Sequence, residues 1–420
     1  MATWAETGHV SGQSSGLLQI ASLELDSREI IGMTQESAVS PVGVPSTEWT
    51  EKPVGYLVHP VVDFLCLGGG SLIVLIPLLL FRPAEASVPV LAGISIAIAN
   101  VINHPNFAHS YQIFYRNFRI KAFGQDYRPR LRARYVLAGI FVPIALIAFF
   151  AISIASGDAE LLGFGANIML FLVGWHYVKQ GYGMIIVDSV LKRQFFTHSE
   201  KKVLLINSYA YGITYWVLAN YIVSERNYWG LKFYMFPFPS FIVYAIVGIA
   251  SVTTAIMLYT LARKWMTNKK NLPANGVIAY LMTLYMWLFL RLDPVVVFVI
   301  PAFHSLQYLV VVWRYKLKAE RDRADAGERP RLMVRGLAVP SKAVLRFTVF
   351  ILVGICLGYI GFWWIPLYLD SVVLYDRETF GATLFLFMFW IFINVHHYFL
   401  DNVMWRRENP DTGKYLFSHG

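Results

Sequence analysis

Residues 88–116 read VPVLAGISIAIANVINHPNFAHSYQIFYR. From Val88 to Tyr115 there is no Asp, Glu, Lys or Arg, and the run closes on Arg116. At a rise of 1.5 Å per residue, about 20 such residues cross the roughly 30 Å hydrocarbon core of a bilayer. The stretch is therefore long enough to span a membrane, and it carries His104 and His109 within it. Working outward, comparable apolar runs lie near 61–81, 135–155, 161–190, 203–223, 239–261, 275–290, 295–313, 344–369 and 381–402. Barrel strands are excluded, because these runs are too long and do not alternate in a period of two. The expected fold is an all-α polytopic membrane bundle of about ten transmembrane helices.

Composition agrees. Of 420 residues, 56% are hydrophobic and only 15% charged, whereas a soluble domain carries roughly 25% charged residues. A net charge of +10 in a soluble chain points to nucleic acid, but here the basic residues sit between apolar runs, and no nucleic-acid partner is expected. Cys66 and Cys356 both fall in apolar runs, which gives neither a disulfide framework nor a thiolate zinc site. Residues 1–55 form a polar tail rich in Ser, Thr, Glu and Gly, without the basic and apolar regions of a signal peptide, and are read as disordered. Residues 56–405 are the helical domain, 314–346 a charged loop, and 406–420 a short tail. Gly68–Gly69–Gly70 is read as close helix packing, and Trp363, Trp364 and Tyr368 as interfacial anchors.

The loops give an orientation. Arg116, Arg119, Lys121, Arg128, Arg130, Arg132 and Arg134 follow the second run; Lys192, Arg193, Lys201 and Lys202 follow the fourth. Arg263, Lys264, Lys269 and Lys270 follow the sixth, and ten Lys or Arg lie in 314–346. The intervening loops are poor in basic residues. By the positive-inside rule every even run ends in the cytoplasm, and both termini are cytoplasmic.

Of ten histidines, His104, His109, His176, His304, His396 and His397 lie in even-numbered runs, which all point the same way. His109, His304 and His397 stand 7 to 10 residues before the basic residue that closes each run, about 10–15 Å inside the boundary. His59 reaches the same layer from the start of the first run. A second polar group follows each within a turn: His109 with Gln112, His176 with Gln180, His304 with Gln307, His397 with Asp401 and His59 with Asp63. Residues three or four apart share a helix face, so each partner is placed to ligate a metal or to orient the imidazole. In the doublet His396–His397 only one ring of a regular helix faces a given centre, and Asp401 favours His397. Pro105 removes a backbone hydrogen bond, and the kink it causes is expected to bring His104 and His109 to one point. Intramembrane polar residues are costly and tend to be functional.

Imidazole and carboxylate without thiolate suit iron. The expected metal ligands are His59, Asp63, His104, His109, His176, His304, His396 and His397, with Asp401, Gln112, Gln180 and Gln307 orienting or completing the shell. The expected cofactor is iron, one ion or a pair, with zinc and haem as alternatives.

The His104-to-His109 spacing and the His396–His397 doublet resemble the membrane histidine-box oxygenases, the fatty-acid desaturases and hydroxylases. The later boxes of that family carry a further histidine or glutamine two or three residues before the doublet, where this chain has Phe392 and Ile393. Single histidines on successive spans also resemble the bacterial membrane carotenoid-cleaving dioxygenases. These resemblances imply an iron-dependent oxidoreductase in a bacterial inner membrane, with a lipid or isoprenoid substrate. No dinucleotide fingerprint is present, so reductant comes from an external electron donor. The alternatives are a haem-binding electron carrier and a proton-coupled transporter using the histidines with Lys179 and Asp188.

Overall fold

Prolines set the architecture as much as apolar content does. The computed structural model describes residues 55–81, 87–222, 227–228, 231–232, 234–267, 272–292, 296–323, 330–334 and 337–417; almost all of the expected tail at 1–55 lies outside them. Among the described helices are α1 (Pro60–Phe64), α2 (Gly70–Leu80), α3 (Val88–Val101), α4 (Asn103–Tyr115), α5 (Pro129–Val136), α6 (Val142–Ala155), α7 (Ala159–Leu191) and α8 (His198–Ile222). They continue with α9 (Ser240–Thr267), α10 (Ala274–Leu292), α11 (Val296–Arg321), α12 (Ser341–Tyr359), α13 (Ile365–Val372) and α14 (Leu384–Met404). Two short antiparallel hairpins pair Asn227–Tyr228 with Leu231–Lys232 and Pro330–Val334 with Leu337–Pro340.

Among the described residues, seven helical stretches are long and apolar enough to cross a membrane: Pro60–Pro77, Pro89–Tyr115, Pro129–Ala155, Ala159–Leu191, Ser240–Thr267, Lys342–Val372 and Leu384–Met404. The chain is an α-helical integral membrane protein. The other three expected spans are helical as well, as α8, α10 and α11, and Ala274–Met286 of α10 is a shorter apolar stretch. Outward-facing aliphatic side chains such as Ile73, Val90, Ile144 and Ile147 are about half exposed or more, which places them against lipid rather than water.

Three proline-linked breaks shape the site. Pro105 has no amide to offer the Val101 carbonyl, and the helix breaks at Ile102, between α3 and α4. Pro143 withholds the bond to the Gly139 carbonyl, and Leu137–Phe141 widens into a π-turn. The carbonyls loosened there find other donors: Gly139 accepts the Tyr115 hydroxyl at 2.8 Å, and Ala138 lies 3.0 Å from His396 Nε2. Pro366 follows another π-turn at Ile360–Trp364.

Helix α12 presents Gly354 and Gly358, four apart, to α4. A Cβ on Gly354 would strike the His109 ring, and one on Gly358 would come within 2.9 Å of His104 Cβ. This is the small-xxx-small contact that lets two membrane helices approach closely. Gly68 makes a similar approach to Ile278.

The charged segment 314–346 differs from the simple connector its composition suggests. Helix α11 runs on to Arg321, and the second hairpin follows. Glu320, buried to 2%, gathers Lys316 (2.7 Å), Arg346 (2.8 Å), Arg323 (3.0 Å) and Arg116 (3.3 Å). One carboxylate thus fastens α4, α11 and α12 at their basic ends. Burial alone pushes this carboxyl upward, but its cationic neighbours outweigh that and hold it at about 2.

Candidate metal centre

The site is built around Asp401, on the last turn of α14. Its Oδ1 lies 3.0 Å from the Tyr308 hydroxyl of α11 and 3.1 Å from the Ser110 hydroxyl of α4, and those hydroxyls are 2.6 Å apart. One carboxylate oxygen is therefore fixed by two other helices. The second, Oδ2, has no hydrogen-bonding partner. It faces Nε2 of His397 at 3.5 Å and Nε2 of His176 at 3.7 Å. Ligand atoms of His176, His397 and Asp401 all lie within 4.8 Å of one another. Ligands bonded at about 2.0–2.2 Å to one ion stand roughly 3.0–3.5 Å apart, and the two carboxylate–imidazole separations of 3.5 and 3.7 Å lie near that range.

Position four explains the convergence. His397 is one turn before Asp401, and its ring meets Phe107 of α4 at 4.7 Å. Since Ser110 meets Asp401, α4 and α14 lie side by side in register. His304 is one turn before Tyr308, and its ring is 5.1 Å from His176, which in turn is 5.2 Å from His397. The site thus has two layers a turn apart. In the lower layer Ser110, Tyr308 and Asp401 satisfy one another. The upper layer holds His304, His397, His176 and, by the same count of four from Ser110, Asn106.

The upper layer is full of unpaired buried atoms. Nδ1 of His304, both ring nitrogens of His397, Nε2 of His176 and both amide atoms of Asn106 have no partner, and neither does Oε1 of Gln180. Asn106 has no exposed surface at all. Each buried polar group left unpaired costs about 1–3 kcal/mol, and native proteins leave few of them. Such a concentration at one place is chemically suited to a bound cation with polar co-ligands.

The remaining candidates are placed elsewhere. Asp63 accepts backbone amides from Leu57, Val58 and His59, and His59 is an exposed helix cap bonding Val61. Both serve the start of α1. His396 turns away from His397, with Nδ1 at 2.9 Å from the Tyr111 hydroxyl and Nε2 on Ala138 O. His109 bonds Gln112 at 2.8 Å and stacks on Phe350; His104 bonds Asn100 at 3.2 Å and stacks on Phe362. The break before Pro105 therefore does not bring these two rings to the centre: it lays them against α12, and Asn106 and Ser110 take the inner face. Gln112 also bonds Phe350 O. Gln307 donates to Leu67 O and Ala279 O and accepts from Gln180, which also donates to His304 O. These two glutamines fix the backbone behind the site. Asp188 is held by Lys192 and the Gly276 amide, both at 2.8 Å.

A cavity of about 250 Å³ opens on the trio, with His176 and Asp401 in its wall. Met184, Val187 and Val311 supply aliphatic surface, and Tyr308, Tyr398 and Trp405 aromatic surface. No known protein family, curated protein or solved structure matches the chain, and the chemistry rests on these residues alone.

Proposed function

We propose that this protein is a multi-pass membrane metalloenzyme, a non-haem iron oxygenase, hydroxylase or desaturase of a lipid or isoprenoid substrate, with His176, His397 and Asp401 holding the ion. The observation that carries the reading is a pair of imidazoles and a carboxylate with unpaired ligand atoms meeting inside a helix bundle. Two histidines and one carboxylate with open positions are the ligand set of non-haem iron oxygenases. Three protein ligands favour one ion over a pair. The T-shaped contacts of His176 with His304 and His397 leave no flat slot between these rings and favour a bare ion over haem.

Iron held by His176, His397 and Asp401 would supply the activation of O2. The chain does the rest. Asp401 carries the negative charge that offsets the cation, and Ser110 with Tyr308 fixes its orientation, as outer partners of metal ligands do. The aromatic and aliphatic walls admit an apolar chain and exclude water. Hydroxylation of a C–H bond by O2 consumes two electrons and two protons and yields one water, and the partner that supplies the electrons is an external donor. We further propose ten spans with both termini cytoplasmic, on the alternation of basic loops, in a bacterial inner membrane.

The test is anaerobic loading of the purified chain with Fe(II), followed by metal analysis and an absorption spectrum. About one iron per chain without a Soret band is expected for this ligand set. His397→Ala and Asp401→Ala are expected to lose the iron while still inserting in the membrane. A Soret band, or full iron in both variants, overturns the proposal.

A further inference from the structure

With an ion assigned to the trio, one buried histidine of the same layer is left without a task. His304 is 4% exposed, and Nδ1 of its ring has no hydrogen-bonding partner. The ring is nevertheless well placed. It stacks on Tyr177 at 3.7 Å and 13°, and its own backbone carbonyl accepts Nε2 of Gln180 at 2.9 Å. The adjacent Ser305 donates to Asn103 Oδ1 of α4 at 2.8 Å, which pins this turn of α11 to a second helix. Stacking occupies a face of the imidazole and leaves its edge, where Nδ1 lies. A buried ring nitrogen held so and left unpaired costs stability unless something occupies it.

His304 stands beside the trio without joining it. Its ring centre is 5.1 Å from that of His176, which is 5.2 Å from that of His397. Among the described residues, however, the ligand atoms that all lie within 4.8 Å of one another are those of His176, His397 and Asp401. Ligand atoms on opposite sides of one ion are about 4.0–4.4 Å apart, so His304 as placed falls outside a common coordination sphere. One hydrogen bond of about 2.9 Å to a molecule on the ion spans such a gap. His176 and Asp401 belong to the wall of the cavity, and His304 does not. Resting on the proposed metal site, we infer that His304 is a positioning residue: its ring edge hydrogen-bonds a water-sized or diatomic molecule that shares the ion, while the organic substrate uses the cavity. A buried water needs two to four polar partners. The ion is one and Nδ1 of His304 another, and the fully buried, unpaired amide of Asn106 in the same layer is a third. Burial keeps lipid-sized molecules from this seat and reserves one position at the ion for the small co-substrate.

Azide, a small linear anion, probes the seat directly. The full chain in detergent is loaded anaerobically with Fe(II), oxidised to Fe(III) and titrated with azide, whose ferric complexes absorb visible light. One hydrogen bond to a charged group corresponds to about tenfold or more in affinity. His304→Phe, which keeps a ring against Tyr177, is expected to retain about one iron per chain and to bind azide about tenfold more weakly. His304→Gln, which restores a donor, is expected to recover most of that loss, as a repair of packing alone would not. Should His304→Phe not fold, His304→Leu against His304→Gln makes the same comparison. Equal azide affinity in the wild type and His304→Phe overturns the inference, and so does a wild type that holds iron without binding azide. Iron lost from both His304→Phe and His304→Gln makes this histidine a ligand and overturns it too. A wild type that binds no iron defeats the metal reading and this one together, whereas bound iron with azide indifferent to His304 defeats only this one.

Discussion

Asp401 illustrates how much one carboxylate can be asked to do. Oδ1 is held by two hydroxyls and Oδ2 is left toward two imidazoles. Removing a holder should loosen the ligand without deleting it: Ser110→Ala and Tyr308→Phe are expected to weaken iron binding by about 10–100-fold, read by competition with a chelator of known affinity. Asn106 tests the same layer from the opposite side. Its fully buried amide has no partner, so Asn106→Leu, close to it in volume, should raise thermal stability by about 1–3 kcal/mol while lowering iron affinity. A stability loss in that variant would show the amide to be satisfied. The pairing of His397 with Asp401 is legible in the sequence, because four residues make one helical turn whatever the surroundings. Asn106 and Ser110 are not. They stand among His104 and His109, whose chemistry draws the eye, and only the rotation of α4 decides which residues face inward.

At the scale of the element, that rotation is set by the break at Ile102 and by the glycines of α12. The break is predictable from Pro105, but its outcome depends on a partner 250 residues away in sequence, which no local pattern contains. Gly354→Leu places a side chain where the His109 ring lies. Overpacking of this kind costs about 1–3 kcal/mol, and a lower melting temperature together with weaker iron binding is expected, because α4 also carries Ser110. Unchanged melting would mean that α12 moves aside freely. The same contact explains why a histidine spacing that resembles a metal box serves packing here: Gly354 lies opposite the His109 ring and Gly358 opposite the His104 backbone, while the His104 ring stacks on Phe362. The π-turn before Pro143 likewise supplies a carbonyl that occupies His396, a use of the doublet's first ring that its sequence does not announce.

Across the whole molecule, apolar length is read directly, since the bilayer imposes one dimension on every span. The fastening of the basic helix ends is less legible, because Glu320 looks like any charge in a mixed run until four cations are seen around it. Its depressed pKa gives a pH dependence with a definite sign. The unfolded chain takes up a proton near 4.5 and the folded one only near 2, so the stability it contributes is present above 4.5 and is lost as pH falls toward 2. Thermal unfolding in detergent should show this slope, and Glu320→Gln should flatten it. Lys121, buried against the carbonyls of Ile113 and Phe114, is lowered by burial to about 8. Its charged form is disfavoured in the fold, so stability should climb between about pH 8 and 10.5, and Lys121→Met should remove that climb. The site also spans the chain in time. Ser110 and Asp401 touch across 291 positions, and His176 waits equally for the helix that brings His397. A ribosome-bound chain that has exposed only its first half owns one imidazole of the three ligands and none of the carboxylate. Any ion held by all three is a seal set after translation has nearly finished, and a polypeptide released early has nothing to close around.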